Sequence, residues 1–134
     1  MEVDSQYFKE RKEKTKEIYD AKREIWCPYF QTKVIINSDG FHHLQFSARR
    51  EREKQAQLLK FSLVSVAFEI INKSGTIQEY RKGLRAIGKV SAVDGSVPMK
   101  EVEYWGLVAI VKESQIKVRV VLRRVGTGNI TFWS

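Results

Sequence analysis

The stretch Gln115-Ile116-Lys117-Val118-Arg119-Val120-Val121-Leu122-Arg123-Arg124 decides how the chain is read. Apolar Ile116, Val118, Val120 and Leu122 alternate with Lys117, Arg119, Val121 and Arg123. Successive side chains of a strand point to opposite faces, so this period of two predicts a strand with one apolar face and one cationic face. The apolar face is expected to pack on helices. The other carries three cations in a row.

Working outward, Gly126-Thr127-Gly128 predicts a tight hairpin into a last strand over Asn129–Ser134. Ile130 and Phe132 then share the inward face, and Thr131 and Trp133 lie beside the cationic row. An apolar strand running to the last residue is expected to be cut short there or to pair with another element. Upstream, Glu113-Ser114 predicts a hairpin from a strand over Glu103–Lys112, and one more strand is expected over Arg85–Val93. Thr76 to Gly83 reads as one short helical turn.

The first half has a different period. Asp4 or Ser5 can cap a helix running to about Trp26, with Tyr7, Phe8, Ile18, Tyr19, Ile25 and Trp26 as its apolar positions. Pro28 stops it. Lys33 to Asn37 reads as a short strand and Ser38-Asp39-Gly40 as a turn. Phe41 to Phe46 follows as a loop or a second short strand. A long helix is expected from Ser47 to Asn72, with Leu58, Leu59, Leu63, Val66, Ala67, Ile70 and Ile71 on its apolar face, closed by Lys73-Ser74-Gly75. The fold class expected is α+β: N-terminal helices packed on a C-terminal antiparallel meander of about four strands. The 134 residues carry no repeat or Pro/Gly-rich linker, so one domain is expected, helical over about 4–75 and sheet over about 85–134.

Charge narrows the partners. Lys and Arg number 24 against 16 Asp and Glu, a formal +8. Such a field favours nucleic acid, or else an anionic surface. In the first helix, bases from Lys9 to Glu24 are offset by acids. Two stretches hold no acid: Arg81, Lys82, Arg85 and Lys89, and then Lys117, Arg119, Arg123 and Arg124. On the second, cations for phosphates stand next to Trp133, whose indole can stack on a splayed base, a combination suited to RNA. Arg49 and Arg50 fall at the expected start of the long helix, where the macrodipole disfavours cations and a bound phosphate would compensate.

Candidate chemistry is sparse. His42 and His43 are the only histidines. Beside a basic face, one of them can act as general base or general acid on a ribose or phosphate. Two neighbouring imidazoles without a third ligand do not predict a metal site. Cys27 is the single cysteine, so it can form no intrachain disulfide; a buried thiol and a reducing cytoplasm are expected. No phosphate-binding Gly-rich loop or Ser-His-Asp order is present, so no cofactor is expected. The longest apolar run, Leu63 to Ile71, is too short to span a bilayer, so no membrane partner is expected.

The strings Gly40-Phe41-His42-His43-Leu44-Gln45-Phe46, Lys117 to Gly126 and Asn129 to Ser134, in that order behind helices, resemble the barnase–EndoU–colicin–RelE superfamily of small RNases, in its phage and mobile-element forms. That resemblance implies a toxin-like, metal-independent endoribonuclease in which a ribose 2′-hydroxyl attacks the adjacent phosphate. It implies His43 as acid or base with His42 as the fallback, Arg123 and Arg119 stabilising charge, Thr131 positioning the phosphate and Trp133 stacking on a base. The chain departs from the pattern in lacking a glutamate placed for catalysis; Glu101 and Glu103 only stand near a strand start. Lys82, Arg85, Lys117, Arg124, Arg49 and Arg50 complete the expected RNA surface. RNA is the expected partner, with an acidic antitoxin or immunity protein as a second. Two other readings need no histidine: a non-catalytic RNA- or DNA-binding module, and a protein-interaction domain whose polar first helix docks on another protein, which an apolar, acid-free groove beside Trp26 and Tyr29 would favour.

Overall fold

The alternating stretch forms a strand from Ile116 to Val125, and the side chains of Val118, Val120 and Leu122 are buried on one face while Lys117 and Arg119 are exposed on the other. The structure, a computed structural model, describes residues 4–47, 50–87, 92–111 and 115–133. In chain order the elements are α1 (Ser5–Ala21), β1 (Glu24–Cys27), β2 (Thr32–Ile35), α2 (Ser38–Gln45), β3 (Phe46–Ser47), β4 (Arg50–Glu51), α3 (Lys54–Ser62), α4 (Val64–Lys73), β5 (Glu79–Ala86), β6 (Met99–Val111), β7 (Ile116–Val125) and β8 (Thr131–Phe132). The fold is α+β.

The meander is present as β5–β6–β7–β8, each neighbour antiparallel. It is part of a larger sheet. The β1–β2 hairpin adds to it through a parallel pairing of Ile35 with Thr131, giving six strands in the order β1-β2-β8-β7-β6-β5. The first helix therefore ends before the expected Trp26. Ile25 and Cys27 are buried and Glu24 and Trp26 exposed, a two-residue alternation that a strand satisfies and a helix does not. Asp4 caps α1 by accepting from the Tyr7 N–H at 2.9 Å.

Three further expectations are corrected. Phe41 to Phe46 is mostly helix, because Asn37 accepts from the Gly40 N–H and starts α2 where a turn was expected. The long helix starts later, at Lys54, and bends at Leu63 into α3 and α4. The preceding residues form the β3–β4 ribbon, so Arg50 stands on a strand and not at a helix N-terminus. Residues 79–86 are strand β5, where a helical turn had been expected through Gly83 and a strand only over Arg85–Val93; residues 92–94 are a turn. The expected Glu113-Ser114 turn lies outside the described residues.

The helices cover one face of the sheet: α4 packs on β1, β6 and β7, and α1 packs on α3. The core under them joins Tyr19, Phe61, Phe68, Leu107, Leu122 and Phe132, with Tyr19 in ring contact with Phe41, Phe68 and Phe132. Cys27 is fully buried. Among the described residues no helix is long and apolar enough to cross a membrane.

Candidate nucleic-acid interface

The site forms where β8 stops. Its pairs with β7 are Leu122↔Phe132 and Arg123↔Thr131, and Trp133 extends the register by donating its N–H to the Val121 carbonyl at 2.9 Å. Thr131, Trp133 and Arg123 therefore share the face opposite the helices. The Arg123 guanidinium carbon lies 3.8 Å from the Trp133 ring centroid. The Thr131 hydroxyl donates to the Arg123 carbonyl at 3.1 Å, which fixes the strand pair beneath them.

Helix α2 brings His43 to the same indole. Its ring stacks on Trp133 with centroids 4.3 Å apart and planes 22° from parallel. This approach depends on Gly40. A Cβ there would stand 2.5 Å from the Phe132 backbone oxygen, so a larger residue would force the helix off the end of β8. On a helix, unlike a strand, neighbouring residues are about 100° apart. His42 accordingly turns outward, exposed, and stacks on Phe46 at 4.6 Å.

The β3–β4 ribbon adds Arg52, which sequence reasoning did not single out. Its Nε donates to the His43 carbonyl at 3.1 Å, and its Nη2 lies 3.5 Å from His43 Nε2. Gln57, fully buried, holds Arg52 in place by donating to its carbonyl at 2.7 Å. Lys60 is a second addition. It lines a small cleft with Leu44, Arg119 and Phe132. A lysine inside the apolar run Leu58-Leu59-Lys60-Phe61 was the one visible signal for it; Arg52 had none.

These groups set one another's protonation. Burial first, then the charges of Arg52, Lys60, Arg123 and His42, push the His43 pKa down to about 4, so its imidazole is neutral at pH 7. Burial and the neighbouring Arg52 also lower the Lys60 ammonium. The Arg123 Nε is buried and has no hydrogen-bond partner among the described residues. Among the described residues, no carboxylate pairs with Arg52, Lys60 or Arg123. Partly desolvated cations without counter-charge are costly, and an anion placed among them removes that cost.

The other expected residues are placed differently. Stretches without acids in sequence are not without acids in space, because a sheet brings neighbours from other strands. Arg119 shares the open face but pairs with Glu79 at 2.5 Å. Lys82 pairs with Glu101 at 3.1 Å and Arg124 with Glu103, on the opposite face. Arg85 and Lys117 are exposed on the open face away from His43, and Arg50 is exposed on β4. Arg49 and Lys89 lie outside the described residues. Among the described residues no three His, Cys, Asp or Glu side chains gather as a metal-binding group. No protein-family model, no curated protein and no solved structure matches the chain.

Proposed function

We propose that the protein is a cytoplasmic, toxin-like endoribonuclease that cleaves RNA without a metal at the His43–Arg123–Trp133 cluster. The observation that carries the reading is a neutral imidazole stacked on an indole inside a group of three cations with no paired carboxylate. A phosphodiester among Arg52, Lys60 and Arg123 supplies the missing counter-charge. The two faces of Trp133 are taken by the His43 ring and the Arg123 guanidinium, so its indole positions these two groups instead of stacking on a base. His43, neutral at pH 7, takes the proton from the ribose 2′-hydroxyl as that oxygen bonds to phosphorus. The bond from phosphorus to the 5′-oxygen breaks, and that oxygen takes a proton from solvent. Arg123 stabilises the charge that builds on the phosphoryl oxygens. Thr131 acts on the strand pair under Arg123, not on the phosphate. The resemblance to the barnase–EndoU–colicin–RelE superfamily supports the same reaction, and an acidic antitoxin or immunity protein is the matching protein partner.

The test is incubation of the purified protein with total RNA in EDTA, beside His43→Ala. Cleavage is expected from the wild type and about a hundredfold or greater loss from the variant. Equal cleavage by both would remove His43 from the mechanism. A second reading, RNA binding without turnover, is favoured by the Arg52 contact at His43 Nε2, which occupies the lone pair a base needs. Binding with no cleavage by the wild type would establish it. The interaction-domain reading loses ground, because the cleft beside Trp26 is lined by Glu24 and Glu69 and is not acid-free.

A further inference from the structure

The register of the sheet places Arg81, Tyr104, Arg123 and Thr131 side by side across β5, β6, β7 and β8. All four stand on the face away from the helices, since the alternating residues Trp105, Leu107, Val120 and Leu122 face the core. Strands are spaced about 4.8 Å apart, so Arg81 and Arg123 are rooted about 10 Å from each other with one tyrosine between them. The Arg81 guanidinium lies 5.6 Å from the Tyr104 ring centroid. Tyr104 is half-buried and Arg81 exposed. Beyond Arg123 the row meets Trp133 and then His43. Among the described residues of β5, β6 and β7 the open face also carries Arg85, Lys100, Lys117 and Arg119, against one acid, Glu79; the other acid on this face, Glu24, stands on β1 and pairs with Lys33.

We infer that this row is a second nucleotide subsite: single-stranded RNA crosses the strands from Trp133 toward β5, with a base on Tyr104 and a phosphate on Arg81. The inference rests on the RNA reading of the His43 cluster and extends it by naming which way the chain runs and what holds it. A single strand is the occupant that fits. Cations alternate with aromatic rings along the row, which matches alternating phosphates and bases, and exposed bases stack on tyrosine regardless of sequence. A duplex hides its bases and would leave Tyr104 unused.

The test measures binding of labelled 2′-deoxyuridine oligonucleotides, which lack the attacking hydroxyl and are not cleaved. A hexanucleotide is compared with a dinucleotide. Tyr104→Ala and Arg81→Ala are each expected to weaken hexanucleotide binding about fivefold and to leave the dinucleotide unchanged. Tyr104→Phe keeps the wild-type affinity. Arg81→Ala also lowers the salt slope of hexanucleotide binding by about 0.7, the loss of one phosphate contact to a single strand. Arg81 is exposed, so its variant reads the subsite even where Tyr104→Ala unfolds. Unchanged hexanucleotide binding in Arg81→Ala, and in Tyr104→Ala where it folds, with Arg123→Ala weakening both lengths, overturns the row and leaves the His43 site standing. Unchanged binding of both lengths in Arg123→Ala overturns the site, and the row with it.

Discussion

The two faces of the same sheet treat charge in opposite ways. Where β5, β6 and β7 extend past the helices, the inner face sets Lys82 and Arg124 against Glu101 and Glu103. Lys82 and Glu103 are both held in their charged forms. The Glu101 contact raises the Lys82 ammonium, and hydrogen bonds from Tyr80 and Arg124 lower the Glu103 carboxyl. At the edge of the outer face the neighbours are like charges. His43 and Lys60 are both pushed toward their neutral forms, and Arg123 keeps a buried donor without an acceptor among the described residues. A protein selected only for stability would pair both sets. The difference teaches that total charge says little about a binding site; what marks one is cations left without carboxylates while partly out of water.

The sharpest way to break this comparison is to remove neighbouring arginines that point to opposite faces. Arg123→Ala takes a cation from the site and is expected to lower RNA cleavage by about a hundredfold or more, as loss of one charge-stabilising donor does. Arg124→Ala removes a pair to Glu103 and a contact over the Trp105 ring, 5.6 Å away. It is expected to leave cleavage within about twofold and to lower Tm by about 3 °C. Initial rates on one RNA and a thermal melt of each variant check this. Equal losses of cleavage would mean that the faces do not differ in function.

How much of this was legible follows from the range of each signal. The alternation of β7 is local, so its two faces, and the company of Arg123, Thr131 and Trp133, could be read from residue parity. The hairpin at Gly126 was legible for the same reason, and Gly126 does take a positive φ of 56°. Ile25 and Trp26 continue the apolar pattern of α1, and four residues are too few for a strand period to win until β2 is there to pair with them. Asn37 as a cap resembles the start of a turn, and only the following helix separates the two. The pairs that neutralise Arg119 and Arg124 join residues 40 and 21 positions apart, and Arg52 reaches His43 through a ribbon. Those contacts are products of the fold, and residue type alone does not announce them.

A smaller effect, but one that reads the outer charge directly, is the titration of His43. Its pKa near 4 in the folded chain lies below the ordinary 6.5. The unfolded chain therefore binds the extra proton between these values, and stability is full above pH 6.5 and falls as pH drops toward 4. Below 4 both states are protonated and the loss is constant. Following the His43 imidazole by NMR is expected to show this low midpoint, and Arg52→Ala is expected to raise it. Bound inorganic phosphate raises it too, because an anion among the cations offsets the repulsion that holds the proton off. A midpoint near 6.5 that phosphate does not move would mean that the cations around His43 do not act on it.

The smallest expected change sharpens the comparison from the other side, by adding to the outer face instead of subtracting from it. Glu79 is the one acid on the outer face of β5, β6 and β7 among the described residues, and both it and Arg119 are about half exposed. An exposed pair of that kind stabilises by about 0–1 kcal/mol, so Glu79→Gln is expected to fold normally. It frees Arg119 and raises the charge of the face by one. Affinity for a single-stranded oligonucleotide should rise about twofold at low salt, and the gain should vanish as salt screens it. Glu103→Gln makes the same change in net charge on the inner face, where Arg124 and Tyr80 are left with one uncharged acceptor oxygen in place of two. If net charge alone governed binding, the two variants would tighten it equally. A gain from Glu79→Gln with none from Glu103→Gln assigns the nucleic acid to the outer face, by a measurement that leaves every residue of the His43 site intact.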